Sequence, residues 1–509
     1  MAMYYYACRL SAACSAASTS RSSPPPFQGS SRPHRPVATI SHQPGPSRVD
    51  KVTTEGPSLC VNKPCKPLSD TRGVSSSDEA LTYREGNLVS GKLEALVEHM
   101  VPTADYYPDR AFLFAFLLTS RLFVKPHELL GQIAARCQED MLNSSKGDEP
   151  SSHLVRLVAE WSETFPYDFR DERVMSHVRQ IAHRCVSAEE GAGAQEVREE
   201  VSLILHNLLN KLTRLEQYEA FLHSIRKDSI TSNPEMLSQM EVQELCGTAS
   251  NLAQQLTNIE LERLSYIGPE EFVLAYTHNS LGIDSTFKDP RITSNLEVYQ
   301  DWTNRLCRLV VTDVVRQKKN KKQRVRVLEF WVETAKACFN VGNFNSLMAI
   351  ITGLSKLSVC RLKRTWEKME LFEKYKVLEK QMSKEDDYSS YRSLLRAASA
   401  RFNKDDPKLS VVIPVFAILA ADLYALCDHC LIKLSNGHVN FENFWQLAKR
   451  VTEFITWKQV HCPFPKSAKI ITYLQATPVL SEDASLLASF ECEQPETSEE
   501  KELQKRLLA

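Results

Sequence analysis

Apolar residues recur at helical spacing through most of the chain, and this periodicity constrains the fold more than any other feature. The segment KLEALVEHM places its apolar residues on one stripe, and VLEFWVETAKACF and HVNFENFWQLAKRVTEFI follow the same pattern. We find no convincing run in which apolar and polar residues alternate as they do along a half-buried strand. Glycine is scarce, at 16 of 509 residues, which argues against Gly-rich nucleotide-binding loops. The sequence therefore predicts an all-α protein.

Interruptions in the periodicity predict the domain boundaries. Residues 1–80 are rich in Ser, Pro and Arg and are predicted to be disordered, because they cannot bury enough apolar surface to fold. Positions 1–49 contain no Asp or Glu, so a mitochondrial transit peptide is kept as the alternative. The other predicted segments are an N-terminal helical domain at 87–213, a linker at 214–246, a larger helical domain at 247–492 and a charged tail at 493–509 that is expected to fray.

The most apolar stretch is VVIPVFAILAADLYALC, at residues 411–427. It is shorter than the roughly 20 residues of a membrane span, and Asp422 makes insertion more costly. Pro414 suits the first turn of a helix. One face of that helix suits burial and carries Phe416, Ala420, Leu423 and Cys427. Another face carries Ala417, Ala421, Tyr424 and Asp428. On the residues alone, the simpler interpretation of Tyr424 and Asp428 is a ring at the rim and a solvated acid.

Charge and cysteine content narrow the expected partners and compartment. Lys and Arg total 62 and Asp and Glu total 63, so the global charge does not indicate nucleic-acid binding. The basic run RQKKNKKQRVR, at Arg316–Arg326, is interpreted as a solvated loop between helices, with a weak contact to anionic membrane lipids as the alternative. Fourteen scattered cysteines without a secretory signal indicate a reducing compartment. We therefore expect a cytoplasmic protein without a transmembrane segment.

Two matches to chemical motifs are incomplete. GNLVSGKL nearly fits a phosphate-binding loop, but Leu93 replaces the hydroxyl residue that would hold magnesium, so we interpret it as a turn before a helix. Cys427 and Cys430 have zinc-ligand spacing, but the adjacent His461 and Cys462 are poor partners for them. Neither H-E-x-x-H nor G-x-S-x-G occurs. We expect no metal and no cofactor, and no motif in the sequence nominates a catalytic triad.

Five long blocks carry a resemblance to a known family. Three of them resemble, in the expected order, the catalytic domain of Ras-type guanine-nucleotide exchange factors: NLAQQLTNIELERLSYIGPEEF, NFNSLMAIITGLSKLSVCRLKRTW and NGHVNFENFWQLAKRVTEFITWKQVHCPF. Upstream, VPTADYYPDRAFLFAFLLTSRLF and WSETFPYDFRDERV resemble the N-terminal exchanger motif that accompanies this domain. The chain is most similar to the RasGEF domain-containing family 1, over roughly residues 85–492.

The resemblance implies a helical bowl from which a helical hairpin projects, with the N-terminal domain packed on it. The stretch 411–427 aligns with the first hairpin helix, and residues 438–456 align with the second, which braces it. In this family the hairpin is pushed into the nucleotide site of a small GTPase. The resemblance thus implies an exchange factor for a Ras-like GTPase of the Rap or Ras type, with the Rap type favoured. It would act without covalent chemistry, in the cytoplasm or at membranes where its GTPase is anchored.

Individual site residues are also implied by the resemblance. The side chain at Tyr424 would intrude where magnesium and phosphate sit, and the carboxylate at Asp428 would bind the GTPase hydroxyl that normally coordinates magnesium. The other implied GTPase contacts are Val415, Ala421, Ser355 and Arg361.

The chain departs from the family pattern at several positions, which are Thr303, Ser355, Ser358, Val415 and Asp428. Val415 is smaller than the usual Phe, and Asp428 is one methylene shorter than Glu. These departures leave open a second hypothesis, a non-catalytic scaffold that binds a small GTPase. A third, an unrelated all-helical enzyme, has no chemical motif in its favour.

Overall fold

The computed structural model describes residues 80–143, 150–187, 194–226, 230–237, 240–280, 295–402 and 411–508. The segment 1–80, which is predicted to be disordered, lies outside these residues except for its last position. Within the described ranges the protein is mainly helical, as predicted. No helix of the described part is long and apolar enough to cross a bilayer.

The N-terminal domain consists of helices packed around an apolar core. They are α1 (Leu93–His99), α2 (Arg110–Ser120), α3 (Pro126–Asn143), α4 (Pro150–Thr164), α5 (Glu172–Ser187) and α6 (Ala194–Arg226), with a 3-10 turn at Pro166–Arg170. The sequence AFLFAFLL in α2 is buried almost all round, as its uniform hydrophobicity predicts. Helix α6 continues past residue 213, where the linker was predicted to begin, because Leu215, Tyr218 and Leu222 extend its buried stripe.

The larger domain is also helical. Its elements are α7 (Val242–Cys246), α8 (Ala249–Ser265), α9 (Pro269–Ser280), α10 (Asn295–Val315), α11 (Lys321–Val341), α12 (Phe344–Leu354), α13 (Leu357–Cys360), α14 (Lys363–Trp366), α15 (Phe372–Gln381), α16 (Glu385–Phe402), α17 (Phe416–Leu431), α18 (Phe441–Lys458), α19 (Ala468–Ala476), α20 (Glu482–Cys492) and α21 (Ser498–Leu508). Near its start, α16 departs from helical geometry, with positive φ at Asp386, Asp387 and Tyr388. The charged tail at 493–509, which was expected to fray, is largely helix α21.

In the part of the chain that the structure describes, five short strands accompany the helices, although no strand was predicted from the sequence. Strands β1 (Leu81–Arg84) and β2 (Asn87–Gly91) form an antiparallel hairpin, and β2 also pairs with β4 (Val439–Asn440). Strand β3 (Ile230–Thr231) pairs in parallel with β5 (Val479–Leu480). Strands of two to five residues are too short to show alternation. The segment GNLVSGKL is mostly strand β2, and its first residue, Gly86, forms the turn of the β-hairpin together with Glu85.

The N-terminal domain packs on the larger domain through α18. The ring of Phe112 stacks on Phe441 at 5.3 Å between centroids, and Phe123 lies 6.0 Å from Phe444. The indole Nε1 of Trp445 donates a hydrogen bond to the Leu88 carbonyl at 3.1 Å. One continuous apolar core thus joins the N-terminal helices to α17 and α18. This arrangement agrees with the predicted packing of the N-terminal domain on the larger one.

The basic run 316–326 is partly built into the fold. Its last residues belong to α11, and Arg324 is buried, where its Nε donates to the Thr365 hydroxyl at 2.9 Å. Lys318 forms an ion pair with Glu491 at 2.6 Å. The prediction of a solvated loop is therefore wrong for Arg324, because this buried cation also forms an ion pair with Glu493 at 3.4 Å.

Candidate functional site

Helix α17 begins in a buried and well-defined environment. The backbone N–H of Val415 donates to the Tyr391 hydroxyl at 2.8 Å, and that of Phe416 donates to Asn345 Oδ1 at 3.1 Å. Both donors would otherwise be unsatisfied at the first turn of a helix. Pro414 precedes the helix and does not lie in its first turn, because Ile413 is held in extended conformation by bonds to Gly342 and Phe344, both 2.9 Å.

The backbone next to this anchor requires glycine. Gly342 has φ of +92°, and a Cβ added to it would lie 2.2 Å from the carbonyl oxygen of Val411. Any larger residue would therefore displace the strand-like entry to α17.

The buried and exposed faces of α17 follow the predicted spacing. Phe416, Leu423 and Cys427 are at most 4% exposed. Ala420 is half-buried. The other face is formed by Ala417, Ala421, Tyr424 and Asp428, of which Tyr424 is half-buried and the rest are exposed. We refer to these four residues as the exposed edge of α17. It is a strip of small side chains that ends in a ring and a carboxylate.

Val415, implied as a GTPase contact, is buried in the structure. Its side chain is 4% exposed and belongs to the core of the larger domain. The resemblance implied that this side chain would contact the GTPase, but the extended backbone before α17 turns it inward. Val415 therefore offers no surface to a partner in this conformation.

Asp422, the acid within the apolar stretch, is neutralised by two arginines. Arg392 of α16 binds its carboxylate with both Nη atoms, at 2.8 and 2.9 Å, and Arg450 of α18 lies at 3.5 Å. Paired guanidinium–carboxylate contacts of this kind fix geometry as well as charge. Neither Arg392 nor Arg450 was predicted from the sequence, although a lone acid in an apolar helix is a signal that a cationic partner is needed.

The two residues at the end of the exposed edge share a neighbour on α9. The hydroxyl of Tyr276 donates a hydrogen bond to Asp428 Oδ1. The rings of Tyr276 and Tyr424 lie 6.0 Å apart at an angle of 45°. Partial burial raises the pKa of the Tyr424 hydroxyl, so this ring is neutral at physiological pH. Tyr276 was not identified from the sequence.

Ser355 and Arg361 belong to a second region, around α13. Ser355 is exposed, and its hydroxyl donates to the Ile351 carbonyl at 2.8 Å and lies 3.1 Å from the Tyr375 hydroxyl. The side chain of Arg361 is only 3% exposed. We call the residues from Ser355 to Arg361 the α13 segment.

The guanidinium of Arg361 is surrounded by the C-terminal part of the chain. It binds both carboxylate oxygens of Glu500 at 3.1 and 3.2 Å and the carbonyls of Ser489 and Glu493, each at 2.9 Å. It also lies 4.3 Å from the centre of the Phe490 ring. The resemblance implied that Arg361 contacts the GTPase, but the burial of its side chain disagrees with that role. In this structure Arg361 anchors α20 and α21.

A buried polar cluster joins the N-terminal domain to α9. Glu270 accepts a hydrogen bond from the Tyr167 N–H at 3.1 Å, and Asn295 donates to the Tyr167 hydroxyl at 2.7 Å and to Glu271 at 3.0 Å. Lys458 of α18 donates to the Ile267 carbonyl nearby. We call these five residues, Tyr167, Glu270, Glu271, Asn295 and Lys458, the interdomain joint.

Burial shifts the protonation of the interdomain joint. It raises the pKa of Glu270 to about 7 and that of Glu271 to about 8. Burial also lowers the pKa of Lys458 to about 8. Both carboxyls are therefore largely protonated at mildly acidic pH, where the unfolded chain would be ionised.

The cysteines of the C-x-x-C pair, Cys427 and Cys430, pack in the apolar core. Cys427 and Cys430 are at most 1% exposed, and burial holds both thiol pKa values well above the ordinary range. The described residues contain no group of three or more His, Cys, Asp or Glu side chains arranged to hold a metal ion.

Comparison with known proteins supports one family. The sequence matches the RasGEF N-terminal motif over residues 87–181 and the RasGEF domain over residues 251–445. It is 46% identical over 451 residues to Ras-GEF domain-containing family member 1B of Mus musculus, covering 86% of this chain and 94% of that protein. Member 1B of Homo sapiens is 45% identical over the same shares of both chains.

A related protein of a second type matches nearly as well. Ras-GEF domain-containing family member 1C of Homo sapiens is 43% identical over 452 residues, covering 87% of this chain and 94% of that protein. Two matched domains and this identity over most of the chain lead to one conclusion. The chain belongs to the Ras-GEF domain-containing family of Ras-type guanine-nucleotide exchange factors.

Proposed function

We propose that the protein accelerates GDP release from a Ras-like small GTPase of the Rap type by inserting the hairpin of α17 and α18 into the magnesium and phosphate site. The observation that carries this proposal is the exposed edge of α17. Its small side chains would allow close approach to another protein, while Phe416 and Leu423 hold the opposite face in the core. The family membership of the chain supports the same reading.

The end of the exposed edge has suitable chemistry for displacing a nucleotide. Asp428 is an exposed carboxylate, and it would repel phosphate and compete for the hydroxyl that binds magnesium. Tyr424 would add a neutral ring in the space that the metal and phosphate occupy. No covalent bond is made or broken. Weakening nucleotide binding about ten-thousandfold requires about 5.5 kcal/mol of coupling, supplied by preferential binding of the nucleotide-free GTPase.

The site of action follows from the partner. We place the protein in the cytoplasm, at membranes where its GTPase is anchored. A weak contact with anionic lipids would involve the exposed cations of the basic run, which are Lys319, Lys322 and Arg326.

The test is release of a fluorescent GDP analogue from a panel of purified Ras and Rap proteins. We expect the full chain to accelerate release from at least one Rap protein more than from Ras proteins. Acceleration of Ras proteins alone would contradict the Rap preference. Binding without acceleration on every member would instead support the scaffold hypothesis, for which the burial of Val415 is the structural argument.

A further inference from the structure

We propose that Tyr276 of α9 is a positioning residue that holds Asp428 and Tyr424 in the orientation needed to open the nucleotide site of the GTPase. The inference rests on the proposed function and deepens it. It adds an element, α9, that is separate in sequence from the hairpin.

The contacts of Tyr276 involve both residues at the end of the exposed edge. Its hydroxyl donates to Asp428 Oδ1, and its ring lies 6.0 Å from the ring of Tyr424. A carboxylate has two acceptor oxygens, so the bond to Oδ1 leaves Oδ2 to accept a hydroxyl from the GTPase. Tyr276 is only 4% exposed, whereas Asp428 is exposed. A fixed donor therefore restrains a side chain that would otherwise sample several rotamers.

Helix α9 is itself held firmly against the hairpin. Phe272, one turn before Tyr276, packs on Phe416 of α17 at 6.0 Å and on Phe454 of α18 at 5.2 Å. The first turn of α9 is bound to the N-terminal domain, where Glu270 accepts the Tyr167 N–H. The hydroxyl of Tyr276 thus lies on a helix that is fixed both to the base of the hairpin and to the other domain. Support of this kind keeps the Asp428 carboxylate in the narrow range of orientations in which it can bind the GTPase hydroxyl.

The restraint compensates for a short side chain. Asp428 reaches one methylene less far than the Glu implied by the family pattern, so its orientation has less tolerance. A hydrogen bond from a neutral hydroxyl to a carboxylate is stronger than one between neutral groups. Because the carboxylate is exposed to water, we expect loss of this bond to slow exchange by about fivefold to tenfold and not more.

The experiment compares Tyr276→Phe with the wild-type full chain on the GTPase that the wild type activates. The rate of GDP release is measured over a range of exchange-factor concentrations, so that the maximal rate and the half-saturating concentration are obtained separately. We expect the maximal rate to fall by about fivefold to tenfold while half-saturation changes by less than about twofold, because the binding surface is intact. Tyr473→Phe is the matched control, since it also removes a hydroxyl hydrogen bond, to the Met240 carbonyl at 2.8 Å, and lies on α19.

A double-mutant cycle separates positioning from a merely structural role. In an Asp428→Ala background, Tyr276→Phe should reduce the maximal rate by less than about twofold. An equal loss in both backgrounds, or a maximal rate in Tyr276→Phe at or above the wild-type rate, would overturn the role of Tyr276 while the proposed function stands. If the wild type activates no GTPase, or Asp428→Ala has full activity, the proposed use of the hairpin fails, and the role of Tyr276 fails with it. Thermal melting of each variant checks that the fold is retained.

Discussion

The exposed edge of α17 and the α13 segment were both implied to contact a GTPase, but the structure uses them differently. The edge presents Ala417, Ala421 and Asp428 to solvent, while another face of the same helix, which carries Phe416, Leu423 and Cys427, is buried. The α13 segment commits its most promising side chain, Arg361, to the C-terminal helices. A resemblance can identify a surface, but whether each residue in it is free for a partner depends on contacts elsewhere in the fold.

The largest expected effect tests the first of these regions. The double substitution Tyr424→Ala with Asp428→Ala should slow catalysed GDP release by at least about a hundredfold, or about 2.7 kcal/mol, because both intruding groups are removed. Both side chains are at least partly exposed, so the melting temperature should change little. GDP release measured beside the melting curve checks both statements. A stable variant with wild-type activity would show that the exposed edge is only a surface.

Arg361→Ala should have the largest effect on stability. It would remove the cation that binds Glu500 and one donor to each of the Ser489 and Glu493 carbonyls, and we expect a loss of about 2 to 3 kcal/mol in the free energy of unfolding. The matched control is Arg364→Ala, whose partner Glu496 lies at 3.0 Å but whose side chain is 65% exposed. That variant should lose less than about 0.5 kcal/mol. Chemical denaturation measures both, and equal losses would contradict the anchoring role of Arg361.

The stability of the elements that support the exposed edge of α17 is expected to depend on pH. Helix α9, which packs on α17, is anchored by Glu270 and Glu271, whose pKa values are raised to about 7 and about 8. A raised carboxyl pKa means that the folded state binds more protons than the unfolded state. Stability from these two groups is therefore fully present below about pH 4.5 and is lost as the pH rises to about 8. Lys458, with its lowered pKa, acts in the opposite direction only above about pH 8.

Glu271→Gln tests this pH dependence. The amide keeps an oxygen for the Gly268 and Asn295 donors but cannot ionise. We expect the decline in unfolding free energy between about pH 5 and about pH 8 to become shallower by about 1 to 2 kcal/mol. Urea denaturation across this range is the measurement. Glu270, Asp313 and Glu260 also have raised pKa values, so some decline should remain. An unchanged slope would show that Glu271 is ionised in the folded protein.

The smallest expected effect is that of Ser355→Ala. Its hydroxyl bonds to the Ile351 carbonyl of α12 and to Tyr375, so removal should cost about 0.5 to 1 kcal/mol of stability. The rate of GDP release should change by less than about twofold if the GTPase contacts mainly the backbone of the α13 segment. A larger loss of exchange at unchanged stability would restore Ser355 as a direct contact and narrow the difference between the two regions.

Local periodicity explains what could be predicted from the sequence. The helical character and the two faces of α17 depend on spacing within one segment, and the structure agrees with both. The partner of Arg361 could not be predicted, because Glu500 lies 139 residues later in the chain. The inward turn of Val415 depends on Tyr391 and Asn345, which belong to other helices. The role of Tyr276 could not be predicted, because a buried tyrosine carries no local signal of a partner that lies 152 residues later in the chain.

The most direct test of the account is the affinity of the protein for one GTPase in its nucleotide-free and GDP-bound forms. Linkage requires that the factor by which the protein weakens GDP equals the ratio of these two affinities. We predict that the wild type prefers the nucleotide-free form by at least about a thousandfold, and that the Tyr424→Ala, Asp428→Ala variant loses most of this preference. Equal affinity of the wild type for both forms would contradict the claim that the hairpin acts on the nucleotide site.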